Sequence, residues 1–325
     1  MLLAVLTLNP MSIVAYTAAT GPTKTALITG STDGIGLTTA KQLASKGFNV
    51  IIHGRNPSRI QNAVKAVESH VTYHCQDILM TNIHSVESDI STVQGCKALT
   101  YKVQSILKTN KYSSLDVLMN NAGVFEADHI LTEDHLEMTF AVNVMAPFVI
   151  TSNLLPQLLS SDEQEDAQNQ SRVVIASSMS QCRSIDHWND LQCLQRSYST
   201  HRAYSESKLL DAMLAAEFAT RLANAGIGNE SITCNSLDPG TVNTKMLLQG
   251  WGPCGIEVED ALDESYLCTS DSDDVQNTSG AYFCWKSVSR AADQYKPLER
   301  QKMWDVLSRI DPESAEKWND ITSQT

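Results

Sequence analysis

The chain has no C-x-x-C pair, no dense cysteine cluster and little basic charge. Its eight cysteines are scattered, and their spacing suits neither zinc ligation nor a disulfide framework. They read as small apolar core residues in a reducing compartment, so a cytoplasmic location is expected. No metal site is expected either, because His and Cys form no ligand pattern. Lys plus Arg number 24 against 37 Asp plus Glu, a net charge of −13. So acidic a chain repels phosphate backbones and anionic lipid, which argues against nucleic acid or a membrane surface as the main partner. Residues 1–23 carry no charged side chain and so lack the positive start of a signal peptide. Pro10 cuts the apolar stretch too early for a bilayer span. An ordinary N-terminal extension is expected there. A targeting or anchoring segment is the alternative, leaving organelle or membrane association open.

What the chain does have is core material and a regular alternation. At 325 residues and 42% apolar content it holds one large domain or two small ones. Short β-rich runs at 25–29, 48–52, 71–75, 115–119, 172–177 and 232–237 alternate with helix-length segments. Those segments are 35–46, 58–69, a polar stretch to about 108, 133–159 with a bend at Pro147, and 203–225. Continuous apolar strands mean that both sheet faces are covered, and right-handed crossovers then give an α/β fold with a doubly wound parallel sheet. Residues 160–171 read as a solvated loop. Beyond Pro239 we expect a helix over 258–269, a strand over 280–284 and a helix over 297–307. No linker separates a second domain, so 24–325 is expected to form one domain.

The first strand runs into Thr29-Gly30-Ser31-Thr32-Asp33-Gly34-Ile35-Gly36. Glycines there let a pyrophosphate approach backbone N–H groups, and the following helix presents its positive end to it. Asp77, after the expected third strand, is placed to accept a hydrogen bond from an adenine amino group. Asn120-Asn121-Ala122-Gly123 ends the fourth strand at the carboxyl edge, where open α/β sheets bind ligands.

The T-G-x-x-x-G-x-G turn together with N-N-A-G resembles the compact form of the short-chain dehydrogenase/reductase family, over about 24–244. The resemblance implies a single Rossmann-type domain that binds a nicotinamide dinucleotide. The second strand ends in Ile52-His53-Gly54-Arg55-Asn56, with no carboxylate to hold ribose hydroxyls. Arg55 suits a 2′-phosphate instead, which favours NADP(H) over NAD(H). Asp33 weighs slightly against this, since the glycine turn offers no second basic residue.

Tyr204-Ser-Glu-Ser-Lys208 places Tyr and Lys at i and i+4, on one helix face. A neighbouring ammonium lowers the pKa of a phenol that would otherwise titrate near 10. The resemblance makes Tyr204 the general acid/base and Lys208 its partner. It gives Ser178 the substrate oxygen, with Ser177 as the neighbouring candidate, and makes Asn143 the holder of a water near Lys208. Pro239, Gly240, Val242 and Thr244 match the family segment beside the nicotinamide, with Thr244 the better phosphate contact. Gly30 to Gly36 (Gly30, Ser31, Thr32, Asp33, Gly34, Ile35, Gly36), Arg55, Asp77, Asn121, Ala122 and Gly123 complete the expected cofactor set, with Tyr204 and Lys208.

Ser178 and Tyr204 are 26 positions apart, about double the separation usual in the smallest members. The insert over 184–192, with Ile185, His187 and Trp188, resembles that of retinol-dehydrogenase-like members. We expect it beside a lipophilic substrate, and residues 245–325 as a lid. The expected activity is hydride transfer between the nicotinamide and a carbonyl or alcohol carbon. The alternatives are reduction of a C=C bond, as in protochlorophyllide reductases, and a non-catalytic nucleotide-binding protein. Family members commonly form dimers or tetramers, and no interface signal selects one.

Overall fold

The structure is a computed structural model that describes residues 24–74, 81–159 and 170–322. Among the described residues, eight strands form one sheet: β1 (Thr25–Ile28), β2 (Asn49–Gly54), β3 (Ile83–Glu87), β4 (Val117–Asn120), β5 (Ser171–Ala176), β6 (Ile232–Asp238), β7 (Tyr282–Cys284) and β8 (Ser287–Ser289). Their order is β3-β2-β1-β4-β5-β6-β7-β8, parallel throughout except for the antiparallel β7–β8 pair. The chain therefore reverses its winding between β1 and β4, the doubly wound topology expected from the sequence.

Helices α1 (Gly34–Ser45), α2 (Pro57–His74), α3 (Val93–Asn110), α4 (Met138–Phe140), α5 (Ala146–Leu159) and α6 (Thr200–Asn224) connect the strands through β6. Beyond it follow α7 (Lys245–Gly250), α8 (Asp263–Thr269), α9 (Asp273–Gln276), α10 (Pro297–Ile310) and α11 (Pro312–Thr322). The core lies in two layers. Leu27, Ile51 and Leu118 face the layer of α3, α5 and α6, whereas Ala26, Ile28, Val50 and Met119 face that of α1, α2 and α8. Alternate residues of one strand thus supply both layers.

The expected third strand at 71–75 is overturned for 71–74, which continue α2. Ala63, Val64, Val67 and Val71 repeat at helical spacing and pack on one layer, so the face extends through Val71. The strand that pairs with β2 is β3, and Val86 is its one fully buried residue. The helix expected from 133 begins at Met138 instead. It carries a π turn, Ala141–Met145, just before Pro147 rather than a simple bend. The helix expected over 258–269 is a 3₁₀ turn, Val258–Asp260, followed by α8. Strand β8 and helix α11 were not expected.

Met138–Leu159 is long and apolar enough to cross a membrane, but 89% of its most apolar window is buried inside the fold. The expectations for 1–23, for the loop over 160–169 and for Asp77 lie outside the described residues.

Candidate active site

At the carboxyl end of β1 the chain turns tightly. Gly30 holds φ at 63°, and a Cβ on it would lie 2.9 Å from Ala122 Cα. A Cβ on Gly36 would meet Asn121 Nδ2 at 2.4 Å and the Gly30 carbonyl at 2.7 Å. Only glycines let the turn and the segment after β4 interlock this closely. Asn121 Nδ2 donates to the Thr29 carbonyl at 2.9 Å, and Thr29 Oγ1 accepts the N–H groups of Asn121 and Ala122. Ser31 is buried and structural: its hydroxyl donates to Ile28 and accepts the His53 N–H. Asp33 caps α1 by accepting the Gly34 N–H at 2.9 Å. Its ion pair with Lys245 holds its carboxyl below the ordinary value, against the opposing effect of burial.

A cleft of about 570 Å³ follows the carboxyl ends of the strands. Gly30, Thr32 to Gly36, Arg55, Asn121 to Gly123, Tyr204, Lys208, Pro239 and Thr244 all line it, together with Ser177. Ser31, Ser178, Asn143, Gly240 and Val242 do not form its wall. Val242 is buried and bridges to Ile256. Gly240 has φ 79° and shapes the turn after β6.

Several wall residues were missed from sequence. His53 accepts the Gly30 N–H at Nδ1, and burial lowers its pKa to about 4, so the ring is neutral. Its Nε2 therefore donates to the Ser88 carbonyl at 3.2 Å. Asp89 stands two positions past β3, the place expected for a carboxylate after the third strand, and lines the cleft. The glycine turn has no second basic residue, as read from the sequence, but Arg59 from α2 and Lys245 from α7 join Arg55 along the cleft. Asp89 was obscured because β3 lacks an apolar run, and Arg59 because it lies on a helix face.

At the other end Tyr204 and Lys208 lie on α6, one turn apart. Both are buried, and the Lys208 ammonium sits 5.6 Å from the Tyr204 ring centre. Lys208 Nζ donates to the Ala176 carbonyl and to Asp211 Oδ2, each at 2.8 Å. Ser178 lies close enough to Tyr204 to lower its pKa, and its Oγ accepts the Ser180 N–H at 3.1 Å, whereas Ser177 Oγ donates to the Lys208 carbonyl at 2.6 Å. Of the two serines, Ser177 is engaged with the backbone of α6, and Ser178 is the one that acts on the phenol's titration. Burial raises the Tyr204 pKa more than Lys208 and Ser178 lower it, so the net shift is upward rather than the expected fall.

Asn143 lies within the π turn, and its side chain is spent on structure. Its Oδ1 accepts the Val124 N–H at 2.8 Å, and its Nδ2 donates to the Val124 carbonyl and the Ser207 hydroxyl. Phe125 and Trp251 pack on the Tyr204 ring at 5.4 and 5.8 Å between ring centres, and His201 packs on both of them. The insert contributes less than expected. Ile185 is buried in the core, and Trp188 packs on it while donating Nε1 to Glu299 at 2.8 Å. His187 is exposed.

The glycine cradle, the N-terminal turn of α1 and the basic side chains along the cleft fit the pyrophosphate of a dinucleotide. Comparison with known proteins agrees with this geometry. The family model described as short chain dehydrogenase matches residues 24–250. The human protein named retinol dehydrogenase 13 is 30% identical over 70% of this chain, a match that spans 62% of that protein. Human retinol dehydrogenase 14 is 30% identical over 87% of this chain and 84% of its own length. An NADPH-bound carbonyl reductase from chicken fatty liver superposes with a TM-score of 0.60 at 22% identity, over 82% of this chain and 99% of that one. That likeness shows the fold.

Proposed function

Because the chain belongs to the short-chain dehydrogenase/reductase family, we propose that it moves hydride between an NADP(H) nicotinamide and the carbonyl or alcohol carbon of a small lipophilic molecule. The observation that carries this reading is the Ser178–Tyr204–Lys208 constellation at the end of a nucleotide-shaped cleft. When bound, the dinucleotide supplies or accepts hydride at C4 of its nicotinamide. Tyr204 gives a proton to the substrate oxygen in reduction and takes it in oxidation. Ser178 shares that oxygen and steadies its developing negative charge. Lys208, with two protons already held by Ala176 and Asp211, turns the third toward the nucleotide ribose. Asn143 fixes Val124 against α6, which keeps the wall after β4 in register with the acid/base pair.

Arg55 and Arg59, with no carboxylate at the end of β2, support NADP(H) over NAD(H). The carbonyl reductase with a similar fold holds NADPH. Phe125, His201 and Trp251 form an aromatic wall at Tyr204 that favours a lipophilic substrate, in keeping with relatives named retinol dehydrogenases. The segment that includes Met246 and Trp251 serves as a lid, within a single functional domain over 24–325. The cysteines of the described residues are free, which supports a reducing, cytoplasmic setting.

The test follows absorbance of the reduced nicotinamide with NADPH and NADH against aliphatic, aromatic and retinoid-like aldehydes and ketones. NADPH consumption that vanishes in Tyr204→Phe is the expected result. Cofactor binding without turnover on any carbonyl would overturn the reading.

A further inference from the structure

Tyr204, Lys208 and Asp211 stand at i, i+4 and i+7 of α6, so one helix face carries the phenol, the ammonium and a carboxylate in line. Asp211 is 1% exposed, and its Oδ2 pairs with Lys208 Nζ at 2.8 Å. Its Oδ1 is buried with no hydrogen-bond partner among the described residues. An ionised carboxylate with half its acceptors unmet is a costly way to fill a helix position. A neutral Asn would accept the same Lys208 proton without that charge.

Resting on the oxidoreductase reading, we propose that Asp211 is a positioning residue for proton exchange. Its carboxylate draws the Lys208 ammonium against the Ala176 carbonyl and offsets part of the charge that Lys208 presents to Tyr204. The phenol then surrenders its proton at a higher pH than Lys208 alone would impose.

The electrostatic surroundings make this offset effective. The charged groups acting on Tyr204 are Lys208, which lowers its pKa, and Asp211 and Asp238, which raise it. Asp238 reaches it from the end of β6, where it accepts the Met179 N–H at 3.1 Å. Asp211 and Tyr204 act on Lys208, and Lys208 acts on Asp211. The neighbouring contributions from β5 and the π turn are the neutral Ala176 carbonyl and the Asn143 amide. Burial pushes the Asp211 carboxyl up to about 7, against the pull of Lys208.

The test is a phenolate titration at 295 nm of the folded protein, taken as the difference from Tyr204→Phe because the chain holds nine tyrosines. In Asp211→Asn the Tyr204 midpoint should fall by about one pH unit, a tenfold change in proton affinity. The acid limb of alcohol oxidation with NADP⁺ should move down by the same amount. An unchanged or raised midpoint in folded Asp211→Asn overturns the proposal. If that variant does not fold, Asp211→Ser removes the charge with a smaller side chain. Failure of both to fold overturns the proposal in favour of a purely structural counter-charge. If the parent turns over no alcohol at any pH, the oxidoreductase reading fails, while the titration still decides the role of Asp211.

Discussion

The Gly30 amide donates to His53 Nδ1 at 3.1 Å, so the nucleotide turn is pinned to the ring of a buried histidine one strand away. The same ring reaches the Ser88 carbonyl at 3.2 Å, tying the ends of β1, β2 and β3 together. His53→Phe keeps the volume and removes both bonds, leaving the half-buried Gly30 N–H without its partner. NADPH affinity should fall about tenfold, the effect of one lost hydrogen bond at roughly 1.4 kcal/mol. Fluorescence titration of NADPH measures it. The substitution should also change acid stability. Burial holds the folded His53 pKa at about 4 against 6.5 for the free side chain. The unfolded chain therefore binds the extra proton between those values, and this contribution to stability is lost as pH falls from 6.5 to 4. Urea unfolding at pH 6.5 and 4.5 should show a steeper acid loss in the parent than in His53→Phe.

Glu264 has the opposite sign. Both of its carboxyl oxygens are buried without partners among the described residues, and burial raises its pKa from 4.5 to about 8. The native state keeps a proton that the unfolded chain gives up, so its contribution is full below 4.5 and is lost as pH rises to 8. Glu264→Gln removes this titration. Its stability advantage over the parent should grow by roughly 1.4 kcal/mol per pH unit across that window and level off above it. Parallel urea curves at pH 5, 6.5 and 8.5 read the trend, and a constant difference would contradict it.

Arg55 and Arg59 line the cleft together and are both exposed. If they hold a 2′-phosphate, Arg55→Ala and Arg59→Ala should each weaken NADPH binding about tenfold or more, the worth of a charge-assisted hydrogen bond. NADH binding should change little. Isothermal titration with both cofactors separates the two outcomes, and equal losses for NADPH and NADH would point away from the phosphate.

Trp251 touches Phe125, His201 and Tyr204 at ring-centre distances of 4.9, 5.2 and 5.8 Å. The space it occupies is bounded by a close fit, since a Cβ on Gly250 would lie 3.1 Å from the Phe125 ring. Trp251→Ala should raise KM for long or ring-bearing carbonyls several-fold through lost apolar contact, and change KM for a short aldehyde little. A uniform fall in kcat across both classes would instead assign Trp251 to holding Tyr204 in place.

The legible parts of the sequence are those written in short local patterns. The glycine turn, Asn120 to Gly123 and the Tyr204–Lys208 spacing each fit within one strand end or one helix turn. What escaped depends on burial or on neighbours remote in sequence. Strand β3 lies at the sheet edge with a half-exposed, polar run, so no apolar signal marks it. Helix α11 is recognisable only through Trp318, which stacks on Phe218 at 4.6 Å and donates Nε1 to Ser152 at 2.9 Å. Asp211 reads as an ordinary helix acid until its burial beside Lys208 is seen. The downward shift expected for Tyr204 likewise took account of the ammonium and not of desolvation.

Strand β1 pairs with β2 a short way downstream and with β4 about 90 positions on, where the Thr25 N–H meets Asp116 Oδ2 at 2.6 Å. The turn that would hold the nucleotide and the Asn121 that braces it are thus joined only by a distant pairing, whose loop-closure entropy must be met before it gives any return. During folding, a βαβ unit of β1, α1 and β2 can form early, yet its glycine turn then lacks the wall that keeps it in shape. If the turn holds a dinucleotide, its affinity should therefore appear late in refolding, so cofactor capture would serve as a clock for the arrival of β4 at the centre of the sheet.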